Sequence, residues 1–188
     1  MLKFTSRRWR EFFFMFPQLV TERLLLQQVL PDDQPFIFEG LSHPKVIPYY
    51  GVTYDSLEAT KAQMDWYAKL LEEGTGAAWK MVNKQNAQAM GVISLYYYQP
   101  QHRKAEVGFW LLPQFWHKGY ALEALETVIN YWKTEKSLHR LEGFVEEGNK
   151  ASSRLLEKAG FQYEGMMKDC EIKNGRYISL LIYGLIMD

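Results

Sequence analysis

The chain has 188 residues, a length suited to one domain. Hydrophobic residues make up 47% and charged residues 23%, the composition of an ordinary soluble globule rather than of a disordered or fibrous chain. Lys plus Arg and Asp plus Glu both total 22, so the formal net charge is zero, which argues against non-specific nucleic-acid binding.

In chain order, "MLKFTSRRWREFFFMF" comes first. Its apolar part is too short for a signal sequence, is preceded by charge and lacks a small-residue cleavage site. Residues 1–15 read as a solvated N-terminal extension, with a segment lying on a membrane surface as the weaker alternative. Met15 is a candidate true start, since the recognisable domain, residues 16–188, begins just after it. "LVTERLLLQQV", Leu19 to Val29, predicts a strand. Pro31, Asp32 and Asp33 predict a turn, followed by a short helix ending near Gly40. Asp55 or Ser56 caps a second helix, which Gly74 closes.

Strands follow at Ala78 to Asn83, Met90 to Tyr98 and Lys104 to Leu112, the last ended by Pro113. Gly119 to Lys136 is a long amphipathic helix, with Leu122, Leu125, Val128, Ile129 and Trp132 on one face. Leu141 to Val145 is a strand, Ala151 to Ala159 a short helix stopped by Gly160, and two strands close the chain around "KNGR". The mixed order predicts an α+β fold, a mostly antiparallel sheet with helices on both faces. No apolar run approaches a membrane span. The lone Cys170 forms no intramolecular disulfide and suits a reducing cytoplasm, and four scattered histidines give no metal-ligand spacing.

Chemistry concentrates in "FWHKGYALEA", Phe115 to Ala124. A helix start carries free backbone N–H groups and a partial positive charge, and Gly119 lets a phosphate approach that backbone closely. Lys118 adds charge and Ala121 is small. Read alone, such a turn is more often a plain connector. The second stretch, "EGNKASSRLLEKAGF", follows the next strand.

Together the two stretches resemble the GNAT superfamily of acetyl-CoA-dependent N-acetyltransferases, and more narrowly the RimJ/RimL group, which acetylates N-terminal amines of ribosomal proteins. The likeness runs from about Phe16 to the C-terminus through "LVTERLLLQQV", "AEVGFWLLPQFWHKGYALEAL", "NKASSRLLEKAGFQYEG" and "YGLI". Two positions depart from the group. His117 stands where it usually has a glycine, and Ser179 stands where many relatives carry an acid.

The resemblance implies direct attack of an amine on the acetyl thioester. It implies that the backbone of His117, Lys118, Gly119, Tyr120, Ala121 and Leu122 holds the cofactor's phosphates. It implies that the pantetheine arm pairs with the strand edge at Phe109, Trp110, Leu111 and Leu112. Asn149 then touches the pantetheine region and Ser152 serves the sulfur as donor or acid. Glu171 orients Ser152 or takes the amine's proton, and Glu106 is the rival base. Without the motif, Asn149 and Ser152 are a helix cap and a first-turn residue, and both glutamates are ordinary strand carboxylates. The acceptor is a protein N-terminus, in the RimJ/RimL manner a ribosomal-protein N-terminus, or a small amine. The competing class is a CoA-binding module without catalysis. No metal, nucleic-acid or membrane partner is expected, and the chain is read as a monomer or homodimer.

Overall fold

The computed structural model describes residues 16–187. The readings of residues 1–15 therefore lie outside the described residues. Eight strands run β1 (Leu19–Val20), β2 (Leu24–Gln28), β3 (Ala77–Asn83), β4 (Ala89–Gln99), β5 (Lys104–Leu111), β6 (Arg140–Glu146), β7 (Gln162–Lys173) and β8 (Arg176–Ile186). Among the described residues four α-helices join them: α1 (Gln34–Ser42), α2 (Lys61–Glu72), α3 (Tyr120–Lys136) and α4 (Lys150–Lys158). The strands form one sheet in the order β1-β2-β3-β4-β5-β6-β8-β7, antiparallel throughout except for the parallel pair β5–β6. The expected α+β class is the observed one.

Two elements begin differently from the sequence reading. The strand expected over Leu19–Val29 folds back on itself, so that Leu19 pairs with Leu26. The Thr21 hydroxyl accepts the Leu24 N–H at 2.7 Å, a local bond that competes with continued extension. Ser56 caps a preliminary turn by accepting the Ala59 N–H at 3.1 Å, and the α-helix proper starts only at Lys61.

Ring contacts identify the two faces of the sheet. Trp79, Ile93 and Phe109 are cross-strand partners on one face, and Tyr131 of α3 meets the Trp79 ring there at 6.2 Å. Their neighbours Lys80, Val92 and Trp110 point to the other face. There α1 packs Phe36 on Trp110 at 5.3 Å, and Gly40 leaves room for the indole that any Cβ would strike at 2.1 Å. Leu156 of α4 covers Gly143 on the α3 face. The core between these layers holds Leu24, Leu26, Trp79, Met81, Ile93, Leu95, Leu125, Leu141, Leu156 and Phe161, each at most 2% exposed.

Candidate active site

The parallel pair decides where the site is. β5 and β6 pair only at Lys104–Arg140, Ala105–Leu141 and Glu106–Glu142, after which they part. The Leu112 N–H donates to Met90 of β4, so by alternation the backbones of Phe109 and Leu111 face away from β4, toward the opening. The indole N–H of Trp116 takes the Leu111 carbonyl at 2.7 Å. The Phe109 backbone and the Leu111 N–H are left on an unpaired edge, which suits an extended chain laid beside it.

A cleft of about 790 Å³ occupies this opening and crosses the sheet. Phe109, Gly119, Tyr120, Ala121, Leu122, Asn149 and Ser152 line it from the α3 side, and Lys45, Tyr49 and Tyr50 from the α1 side. Gly119 has φ of 80° and a Cβ built on it would meet only Arg23 Nη2, at 3.3 Å. The first turn of α3 borders the cleft with N–H groups that have no partner within the helix, the cradle a phosphate needs. His117 also lines the cleft and holds φ of 60°. A left-handed residue is required there, which is why glycine is the easier choice and histidine a strained one. The structure adds four cations absent from the sequence reading, Lys45 and three on α4. Lys150, Arg154 and Lys158 line the cleft at intervals of four residues along α4. That spacing was visible in "NKASSRLLEK" as one basic helix face. Lys118 does not line the cleft.

Asn149 and Ser152 are brought together. Asn149 caps α4 by accepting the Ser152 N–H at 3.2 Å, and its amide donates to Ser152 Oγ at 2.9 Å. The cap and the site are the same contact. Ser152 accepts from Asn149, so its own hydroxyl hydrogen is free to be donated into the cleft.

Glu106 stands on the opposite face, the one carrying α1, at the last paired step before the opening, and lines a second pocket with Trp66, Tyr97 and Tyr98 rather than the cleft itself. Its carboxylate makes no hydrogen bond or ion pair among the described residues. Burial, and then the neighbouring Glu142 carboxylate, push its carboxyl up, against the lowering effect of Lys104. Tyr96 lies beside it, over Gly108, with its phenol pushed up first by burial and then by Glu106. Glu171 pairs with Ile178 on exposed β7, and the alternation through Leu180, Ile182 and Gly184 puts it on the Glu106 face. It makes no bond to Ser152. Ser179 is 7% exposed and accepts the Asp169 N–H at 3.1 Å, holding the bulge in β7. Lys173 donates to Glu146 at 2.7 Å and to the Pro48 carbonyl, tying the hairpin to the loop that carries Tyr49 and Tyr50. Neither Tyr49 nor Tyr50 was singled out in the sequence. Only folding brings their loop to the cleft.

Residues 23–162 match the acetyltransferase (GNAT) domain. The chain belongs to the GNAT acetyltransferase family. The uncharacterized N-acetyltransferase YoaA of Bacillus subtilis (strain 168) is 32% identical over 173 residues, covering 92% of this chain and 98% of that protein. The solved structure of RimL, a ribosomal L7/L12 alpha-N-protein acetyltransferase in complex with coenzyme A, superposes with a TM-score of 0.81 at 22% identity, covering 90% of this chain and 97% of that one. A spermidine N-acetyltransferase from Vibrio cholerae, in complex with CoA and spermine, gives 0.77 at 22% identity over 87% of this chain and 95% of that one. The protein is an N-acetyltransferase of the GNAT type, and the alternative of a non-catalytic module gives way. No helix among the described residues is long and apolar enough to cross a membrane.

Proposed function

We propose that residues 16–188 act as one acetyltransferase domain that moves the acetyl group of acetyl-CoA to the α-amine of a protein N-terminus, in the RimJ/RimL manner. The observation that carries this reading is the cleft that crosses the sheet, with Ser152 in its lining, while Glu106 stands outside that lining at the last β5–β6 pair on the opposite face. The residues fit the donor. The open edge at Phe109 and Leu111 suits a pantetheine arm, the Gly119–Leu122 turn suits a diphosphate, and Lys150, Arg154 and Lys158 supply counter-charge. Acetyl-CoA supplies the activated thioester. The Phe109 or Leu111 N–H polarises a carbonyl placed against that edge. As the amine nitrogen bonds the acetyl carbon and the C–S bond breaks, Ser152, held by Asn149, donates a hydrogen bond to the departing thiolate, which takes its proton from water, and Glu106 accepts the amine's proton from the other face, directly or through water.

Charge favours a peptide over a polyamine acceptor. On its α1 side, away from the cations that face the donor, the cleft is lined by Lys45 and by no carboxylate. A polycation meets repulsion there, whereas a peptide brings a single amine. The expected location is the cytoplasm.

The test is incubation with acetyl-CoA and a panel of peptides, spermidine and small amines, reading free thiol and locating the acetyl group by mass spectrometry. Acetylated peptide α-amines are the expected result. Transfer to spermidine with none to any peptide would move the enzyme to the small-amine class.

A further inference from the structure

Arg23 meets the phosphate loop from behind. Its Nη1 donates to the Lys118 carbonyl at 2.9 Å, and its guanidinium lies 4.5 Å from the centre of the Tyr120 ring. Its Nη2 is the nearest atom to a Cβ built on Gly119. The same residue donates to Glu123 from the backbone at 2.9 Å and from Nε at 2.6 Å. The Thr21 hydroxyl adds another bond to Glu123. The fold-back of β1 on β2 therefore exists next to the first turn of α3, about a hundred residues away in sequence.

Two physical consequences follow. In a trans peptide the C=O and N–H point in opposite directions. Fixing the Lys118 carbonyl on Arg23 therefore turns the Gly119 N–H away from Arg23, toward the cleft. Second, Glu123 is the acid in the first turn of α3, the turn whose N–H groups face the cleft. An unpaired carboxylate there repels a phosphate, and Arg23 with Thr21 occupies it.

We infer that Arg23 is the positioning residue of the phosphate loop. It sets the orientation of the Lys118–Gly119 peptide and neutralises Glu123, and so controls affinity for the diphosphate of CoA without lining the cleft. This rests on the reading of the Gly119–Leu122 turn as the diphosphate seat.

Calorimetric titration with CoA tests it and requires no knowledge of the acceptor. Pantetheine, which lacks the phosphates, serves as control, by direct titration or by competition. In Arg23→Leu, CoA affinity falls at least tenfold while pantetheine affinity stays within twofold of wild type. Adding Glu123→Gln to that variant recovers part of the loss, because the uncovered charge is gone. Arg23→Lys keeps the charge but cannot serve Glu123 and the Lys118 carbonyl together, so it falls between. It also supplies a folded sample should Arg23→Leu unfold. Unchanged CoA affinity in the Arg23 variants, or equal losses for CoA and pantetheine, would overturn the inference. Absence of CoA binding by folded wild-type protein would instead remove the donor reading beneath it.

Discussion

Asn149 holds Ser152 twice, accepting its N–H at 3.2 Å and donating to its Oγ at 2.9 Å. The bond that caps α4 also leaves the serine hydroxyl a donor with its hydrogen unspent. Ser152→Ala is expected to lower kcat by about 10–100-fold with little change in CoA affinity. That is at or below the low end of general-acid contributions, because a thiol is itself a fairly acidic leaving group. Asn149→Ala is expected to lower kcat as well and to cost about 1 kcal/mol of stability through the lost cap. Steady-state kinetics with thermal unfolding checks both. Full activity in Ser152→Ala would leave the pair as a cap alone.

The Glu106 carboxyl is pushed up by burial and by Glu142. A base works only when ionised, so activity rises as pH climbs through that raised value. The acid limb of kcat, read at saturating acceptor, should therefore lie above the ordinary carboxylate range of about 4. Glu106→Gln should abolish the limb along with most of the rate. A limb that persists in Glu106→Gln assigns the proton to another group, Glu171 first.

Burial alone would raise the Glu123 carboxyl, but its bonds from Thr21 and Arg23 outweigh burial and hold it low. A folded pKa below the unfolded one gives stability that is complete above the unfolded value and is lost as pH falls through the folded value. Glu123→Gln is expected to cost about 1 kcal/mol near pH 7, a modest figure because Arg23 is 41% exposed and water screens the pair. The difference between variant and wild type should close on acidification below the carboxylate range. Denaturant unfolding across pH reads it, and a constant difference would show that the charge is not its source.

His117 and Gly119 both hold positive φ, at 60° and 80°. His117→Gly is expected to raise stability by up to about 1 kcal/mol by relieving the left-handed strain. Gly119→Val does the reverse. It forces a β-branched residue into that region and against Arg23, so stability should fall by about 1–3 kcal/mol and CoA affinity should fall as the turn is displaced. Calorimetry and thermal unfolding of the two variants read both effects, and unchanged CoA binding in Gly119→Val would reduce Gly119 to a connector.

Much of the fold was legible because periodicity and punctuation are local. Apolar spacing along α3, Pro113 after β5 and Gly160 after α4 mark boundaries that the structure keeps. The break in "LVTERLLLQQV" was not legible. Thr21 and Arg23 leave the strand for Glu123, a partner that the linear pattern does not contain.

By itself, the sequence determined the α+β class, the helix start at Gly119 and the Asn149–Ser152 pair, since backbone preference and capping depend on neighbours within a few residues. Tertiary structure alone decided that β5 and β6 part after Glu106 and that a cleft crosses the sheet there. It put Ser152 and Glu106 on opposite faces, brought the Tyr49–Tyr50 loop to the cleft and set Arg23 against the Lys118–Gly119 turn. Each of these depends on strand register and on contacts between segments far apart in the chain, and those are fixed only when the core packs.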